Sequence, residues 1–502
     1  MSEPGSELLA AEGATDLLDS TAAGGRIIRG GAARLASYVG IVALSVVSAA
    51  LLTRHLGLAG FSYYTTVMSL TGLVGVVTDS GMASLGTREF AIREGEDREA
   101  FMRDLLGLRV ALTLVGVGLS MAFVIAAGYD SALVIGALCA SLGTVMLVLQ
   151  HTYSIPLLVD LRIGLVSMID LARQVLSMVA IVALVVAGAG LMPLLAVTLV
   201  VNGALVWPTA RYVRGRISLR AHVSLARWRS LIGVTFVFAL ASAVGTTYVY
   251  AAQILTSLVA SPQQSGLFSA SFRVFISISN IPGLLVGGAL PLLARAARDD
   301  RERLDYALGR IFEVSMILGV AAAVGFLAAA HFVIEIVGGF PTYRGAVGVL
   351  QIQGLAMIAS FALSGWSFAV ISLRRYGGML IANAVALAVS VALTIGLASV
   401  YGARGAAIAT LGGEAALACG YLIVMLRADP ALRPPLGILA KVIAAGAPSA
   451  AVALLVPLPS LLLTVVALAI YCALALALRA VPRELLELVP AFDRLRARRS
   501  AG

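Results

Sequence analysis

The chain has 502 residues, of which 60% are hydrophobic and 12% charged, with a formal net charge of +10. Water-soluble domains carry about 25% charged residues, so no aqueous core could hide this much apolar side chain and the chain must be solvated by lipid. The arginines fall in short stretches between apolar runs, which points the positive charge to membrane topology rather than to nucleic acid.

Lipid offers the backbone no hydrogen bonds, so only helices or closed barrels can span it. The apolar runs are far longer than barrel strands of about 10 residues. The expected fold is all-α, a polytopic membrane protein. A helix crosses the hydrocarbon with about 20 residues, and windows of that kind number about fourteen. They lie at 35–53, 61–79, 107–127, 131–153, 164–187, 191–210, 231–257, 266–293, 311–330, 345–371, 377–399, 404–426, 437–456 and 460–478.

Residues 1–30 read as a disordered cytoplasmic tail. Glu3, Glu7, Glu12, Asp16 and Asp19 precede the first base, and there is neither the basic n-region nor the apolar h-region of a signal peptide. With an even number of spans both termini share one side. Placing them in the cytoplasm puts 29 of the 36 bases there and three outside, Arg54, Arg344 and Arg404, as the positive-inside rule expects.

Between spans 2 and 3 lies the charged stretch "DSGMASLGTREFAIREGEDREAFMRD" (79–104). Its charges alternate in sign at spacings of three to five, with Phe90, Phe101, Leu105 and Leu106 on an apolar side. This predicts a short cytoplasmic amphipathic helix at the membrane surface, tied to span 2 by Arg88 and Glu89.

A weak internal repeat divides the rest. "GFSYY" (60–64) and "GLFSA" (266–270) each open an even-numbered span, and "LRIG" (161–164) matches "LRRY" (373–376). In the same register Gly190 meets Gly402, Thr198 meets Thr410, and Asn202 meets Glu414. The expected organisation is a six-helix bundle over 31–210, a basic linker at 211–230, and a second six-helix bundle over 231–426. Two additional helices follow at 427–479, then a basic cytoplasmic tail at 480–502. Repeats of this kind place a substrate site between the halves.

Polar stripes mark the faces toward such a site. Thr235, Ser242, Thr246, Tyr250, Gln253 and Ser257 share one face of span 7, and Ser269, Arg273, Ser277 and Asn280 one face of span 8. Span 2 aligns Thr65, Ser69, Gly72 and Asp79, and span 1 aligns Ser45 with Ser48. Small polar residues also serve helix packing. Arg273 is different, because a guanidinium at that depth costs several kcal/mol unless it meets water or an acid. A wet cavity or a structural ion pair would satisfy it. Glu414 is the one acid near the middle of a span, with Asn383 on the preceding span as a hydrogen-bond partner. It is either held structurally by that bond or couples the movement of protons. Cys139, Cys419 and Cys472 show no paired spacing, and the four histidines form no ligand or nucleophile constellation, so no metal or other cofactor is indicated.

The segment "LLTRHLGLAGFSYYTTVMSLTGLVGVVTDSGMASLGTREFA" (51–91) resembles the opening of polysaccharide flippases of the multidrug, oligosaccharidyl-lipid and polysaccharide exporter superfamily. The matching positions are Arg54, Gly57, Gly60, Tyr63, Gly81, Arg88, Glu89 and Ala91. "SGLFSASFRVFISISNIPGLLVGGALPLLAR", "VGGFPTYRGAVGVLQIQGLAM" and "YGARGAAIATLGGEAAL" resemble later parts of the same proteins. The resemblance implies two six-helix bundles in a V and alternating access in a bacterial plasma membrane.

It further implies translocation of a polyprenyl-diphosphate-linked oligosaccharide, with membrane lipid and polysaccharide polymerase machinery as partners. The substrate cavity would then comprise Arg273, Tyr250, Gln253, Asn280, Ser269, Thr246, Asp79 and Arg54, with Glu414 and Asn383 as the ion-coupling pair. Arg273 and the scarcity of intramembrane acids weigh against the cation-exporting multidrug branch. A lipid II flippase is a further alternative, although the several cavity arginines of those proteins near spans 1 and 2 are not matched here. An enzyme such as a membrane polymerase or glycosyltransferase would need catalytic groups in a sizeable outer loop. The largest, about 331–344, offers only Glu335 and Arg344.

Overall fold

The computed structural model describes residues 21–79, 82–160, 162–215, 222, 224–283, 293, 296 and 300–481. Described residues form long helices in chain order. These are α1 (Thr21–Asp79), α2 (Met82–Ile92), α3 (Gly95–Ala126), α4 (Ser131–Tyr153), α5 (Ile155–Val159), α6 (Ile163–Val186) and α7 (Leu191–Val213). There follow α8 (Leu225–Val259), α9 (Pro262–Ser279), α10 (Arg301–Val337), α11 (Ala346–Ser372) and α12 (Tyr376–Leu393). A π-turn (Thr394–Ala398), α13 (Ser399–Ala428), α14 (Gly437–Leu455) and α15 (Ser460–Ala477) complete the chain.

Eleven stretches among the described residues are long and apolar enough to cross a membrane. Two of them, Gly40–Gly75 and Tyr376–Ala428, each overlap a pair of the expected spans. In α1 the helical path breaks at Gly57 (φ 66°, ψ −174°). The break in α13 is at Gly402 (φ 57°, ψ −132°). A side chain rarely tolerates such positive φ, and glycine does. Nothing crowds the missing Cβ at Gly57, so backbone conformation rather than space selects glycine there. Both arms of α1 flank α9: Ser45 on the first receives a hydrogen bond from Arg273, and Thr65 on the second donates to Ser269. The arms therefore fold back on one another from Gly57. The expected span 266–293 corresponds to α9 and its continuation, which lies largely outside the described residues.

Local sequence explains several helix starts. Asp130 accepts from the Leu133 N–H, and Asp300 from that of Arg303. Ser261 caps α9 with Pro262 in the first turn. Each satisfies an amide that the helix itself leaves without a partner.

Glycines let the helices approach closely. A Cβ at Gly143 of α4 would sit 2.7 Å from the Leu199 backbone nitrogen of α7, and Asn202 donates to the Gly143 carbonyl across the same contact at 2.9 Å. In the second half α10 and α11 meet where a Gly354 Cβ would lie 2.5 Å from Phe326 Cβ. The last two helices attach to α10, with the Tyr471 hydroxyl donating to the Ile317 carbonyl. One buried apolar cluster joins the halves, uniting Leu52 and Phe61 of α1 with Phe275 of α9, Ile334 of α10 and Leu350 of α11.

The charged stretch is not a single surface helix. It breaks at Arg93 and Glu94, and Gly95 (φ 55°) turns the chain into α3. Charges from Glu96 to Asp104 form the first turns of the spanning helix itself. The break is clasped by two cation–π contacts, Arg93 over Phe101 and Arg98 over Phe90, each 4.8 Å from the ring centre. Glu89 pairs with Arg93 at 3.0 Å, within its own segment rather than with span 2. The side chain of Arg88 lies outside the described set. The linker docks beside this clasp: His222 bonds the buried Asp104 carboxylate at 2.8 Å, and Trp228 donates to the Asp104 carbonyl.

Candidate functional site

The long polar stripes converge on a cavity of about 900 Å³ between the two arms of α1, α6, α8, α9, α11, α12 and α13. Its lining includes Arg273, Tyr250, Gln253, Asn280, Ser269, Thr246, Glu414 and Asn383. Eight of the ten residues singled out in the sequence are thus brought together.

Arg273 lies eleven residues into α9, about 16 Å along the axis from Pro262, near the middle of a bilayer of about 30 Å. It is exposed within the cavity. Its guanidinium donates to the Ser45 hydroxyl at 2.7 Å, and among the described residues no carboxylate pairs with it. The ion-pair alternative finds no partner there, and the cation faces a polar space. Two phenols, Tyr64 and Tyr250, share that space.

Gln253 and Ser269 line the cavity but are buried, because they bond one another. The Gln253 amide donates to Ser269 Oγ at 2.7 Å, Thr65 donates to the same oxygen at 2.9 Å, and Ser269 donates to the Ser265 carbonyl. This polar knot ties α1 to α8 and α9 across the halves. Beside it, Gly266 lies against the Leu58 backbone, where a Cβ would fall 2.2 Å from the carbonyl oxygen. Tyr250 rests on Gly72, whose Cβ would be 2.7 Å from the phenol oxygen. Segments paired by the sequence repeat, 60–64 and 266–270, share one apolar cluster through Phe61, Tyr64 and Ala270, and the residues flanking 60–64, Leu58 and Thr65, touch Gly266 and Ser269.

Glu414 is held differently from the expectation. Its carboxylate accepts from the Tyr248 hydroxyl at 3.0 Å. Asn383 accepts from Tyr421 at 3.1 Å and donates to the Ala241 carbonyl at 2.8 Å. The amide is already occupied on both sides, so the acid finds a phenol instead. Asn202, the repeat partner of Glu414, serves the α4–α7 contact and does not line the cavity.

Arg54 stands outside the cavity. It lies at the end of the molecule that holds Gly57 and few arginines, and donates to the carbonyls of Glu335 and Ile336 at 2.9 and 2.8 Å. These belong to the last turn of α10, where carbonyls lack helical partners and a cation is favoured. Neighbouring contacts strengthen the closure: Thr53 donates to the Val337 carbonyl at 2.5 Å, and Tyr343 to the Thr53 carbonyl at 3.2 Å. Asp79 ends α1, and its side chain lies outside the described set. The same holds for the side chain of Thr235. Ser277 turns back onto the Arg273 carbonyl, and Ser257 onto that of Ile254.

Several lining residues escaped the sequence reading. Ser360, Ser364 and Ser367 of α11 lie at steps of four and three, a stripe of the kind recognised on α8. Gln174 and Ser177 of α6 are a shorter pair of the same sort. Tyr248 and Tyr421 carry no spacing signal, because the residues they bond sit on other helices.

Helices of this length enclosing one polar cavity between two halves define a multi-pass membrane protein of transporter fold. The chain belongs to the polysaccharide biosynthesis protein family, whose model matches residues 51–340. No curated protein sequence matches it. Among solved structures it is similar to the lipid II flippase MurJ in an inward closed conformation, at 14% identity and a TM-score of 0.74 over 90% of this chain and 99% of that one. It is also similar to an inward-facing multidrug resistance MATE family transporter of the MOP superfamily, at 13% identity and a TM-score of 0.62 over 80% and 98%. A MOP superfamily transporter from Pyrococcus furiosus, described by the reverse polarity of its binding pocket, matches at 13% and 0.53 over 81% and 96%. At these identities the likeness is one of fold.

Proposed function

We propose that the protein is a flippase that carries a polyprenyl-diphosphate-linked oligosaccharide from the cytoplasmic to the outer leaflet of a bacterial plasma membrane by alternating access. The observation that carries this reading is Arg273, a cation at mid-membrane depth, exposed in a large polar cavity and, among the described residues, bonded only to a serine hydroxyl. An unneutralised guanidinium at that depth is costly, and an anionic diphosphate offsets the cost with two parallel charge-assisted bonds. Thr246, Tyr250 and Asn280 supply hydroxyl and amide groups of the kind that sugar hydroxyls match. The volume lies toward the upper end of ligand pockets, which run to about 1,000 Å³.

The arginine bias supports placing the termini in the cytoplasm, and the contacts around Arg54 then close the outer side. Cargo would enter from the inner leaflet and be released to a polysaccharide polymerase outside. Lipid II is the alternative cargo, since it shares the polyprenyl diphosphate. Glu414, the one acid among the described lining residues, favours a proton-coupled cycle with Tyr248 and Asn383 in its surroundings.

The test is leaflet-resolved translocation of a labelled polyprenyl-diphosphate glycan in proteoliposomes. Arg273→Ala should nearly abolish transport, and Arg273→Lys should keep part of it, with both variants folded. Normal flux in Arg273→Ala would remove the assignment.

A further inference from the structure

A second cavity, of about 340 Å³, opens on the lipid-facing side between α12 and α13, away from the central one. Arg375, Gly378, Ile381, Ala382 and Val385 line it from α12 and the residue before it, at steps of three, three, one and three. Gly420, Ile423, Val424 and Arg427 line it from α13. Gly378 and Gly420 form its floor: a Cβ at Gly378 would lie 2.5 Å from Val424 Cγ1, and one at Gly420 would lie 3.0 Å from Ala382 Cβ. The helices touch at these glycines, and the exposed side chains of Ile381, Val385 and Ile423 stand beside the gap.

The groove is apolar along its length and cationic at one end. Arg375 immediately precedes α12 and Arg427 is in the last turn of α13, so both stand at the same membrane face. Both are exposed, and among the described residues neither guanidinium has an acid or hydrogen-bond partner. The acid nearest Arg427 in sequence, Asp429, pairs with Arg301 instead. Lipid-facing apolar residues are ordinary in a membrane. Two unneutralised arginines over the mouth of a preformed apolar slot match a molecule with an anionic head and a hydrocarbon chain.

We propose that this groove binds one anionic glycerophospholipid of the arginine-rich leaflet, its phosphate between Arg375 and Arg427 and one acyl chain along Ile381, Val385 and Ile423. The site is separate from the central cavity and does not depend on the cargo assigned to that cavity. A bound lipid would fill the seam between two helices that both line the central cavity.

Native mass spectrometry of the full-length protein in detergent, titrated with phosphatidylglycerol or phosphatidylcholine of equal chain length, tests this. Phosphatidylglycerol should bind in preference. Each arginine near a headgroup is worth about fivefold in affinity, so the Arg375→Gln/Arg427→Gln double variant should lose about 25-fold. Val385→Trp, which fills the slot and leaves the arginines in place, should also weaken binding. Size-exclusion profiles matching the parent establish that both variants are folded. Equal retention of phosphatidylglycerol by the double variant, or equal binding of phosphatidylcholine, would overturn the proposal. So would full displacement by inorganic phosphate, which would leave only a headgroup site, or preferential occupation by a polyprenyl phosphate.

Discussion

Arg54 donates two hydrogen bonds to the carbonyls of Glu335 and Ile336, so a side chain from the first half caps the end of a helix in the second. Charge at a helix terminus is worth a modest amount when exposed to solvent, yet a two-state carrier responds to small biases. Arg54→Ala should shift the population several-fold toward states separated at this end. Spin labels at Leu58 and Gln264, on opposite sides of the closure, would report it as a new longer distance. An unchanged distance distribution would mean that the apolar cluster around Leu52 and Ile334 holds the closure alone.

Gly72 and Tyr250 make a steric prediction. Gly72→Ala places a methyl group 2.7 Å from the Tyr250 phenol, and such overpacking costs about 1–3 kcal/mol. Transport by Gly72→Ala should fall, and a second change, Tyr250→Ala, should recover part of the loss attributable to packing. A double-variant cycle with no coupling would show that the two residues do not meet during the cycle.

Glu414→Gln should keep the bond from Tyr248, because the carboxamide oxygen still accepts. If Glu414 couples protons, flux in this variant should no longer respond to an imposed pH gradient while exchange at equal pH persists. A response identical to that of the parent would assign Glu414 a structural role.

Gly107 tests the docked linker. A Cβ there would lie 2.1 Å from the His222 carbonyl oxygen, so Gly107→Ala should displace His222 and its bond to the buried Asp104. The expected cost is about 1–3 kcal/mol, read as a lower melting temperature and faster tryptic cleavage within 211–230. Cleavage at the parent rate would show that the linker yields without loss.

Much of the fold was legible because lipid imposes long apolar runs, and because the stripes on α8 and α9 keep a helical period. Arg273 and Tyr250 could be placed on cavity faces for that reason. The place of Arg54 is not legible in the sequence: its partners are backbone carbonyls some 280 positions away, and carbonyls carry no side-chain signature. Glu414 was assigned Asn383, its neighbour on the adjoining span, when Tyr248 on a third helix reaches it. The charged stretch read as one helix because its spacings suit one, but Gly95 in a left-handed conformation splits it. Residue types and periods identify a face; which distant groups meet that face is decided by packing.

The knot of Thr65, Ser269 and Gln253 has a bearing on leakage. For an empty carrier, separating the halves strips Thr65 from the Ser269 oxygen and from the Gln253 amide in a poorly hydrated setting, where lost bonds are expensive, while Gln253 and Ser269 stay bonded within the second half. A glycan brings hydroxyls that can both give and accept, so the loaded carrier could exchange each broken contact for another. Idle opening would be disfavoured and productive opening nearly neutral. Under the proposed cargo, the same three side chains would act as both seal and sensor, making the sugar a condition of its own passage.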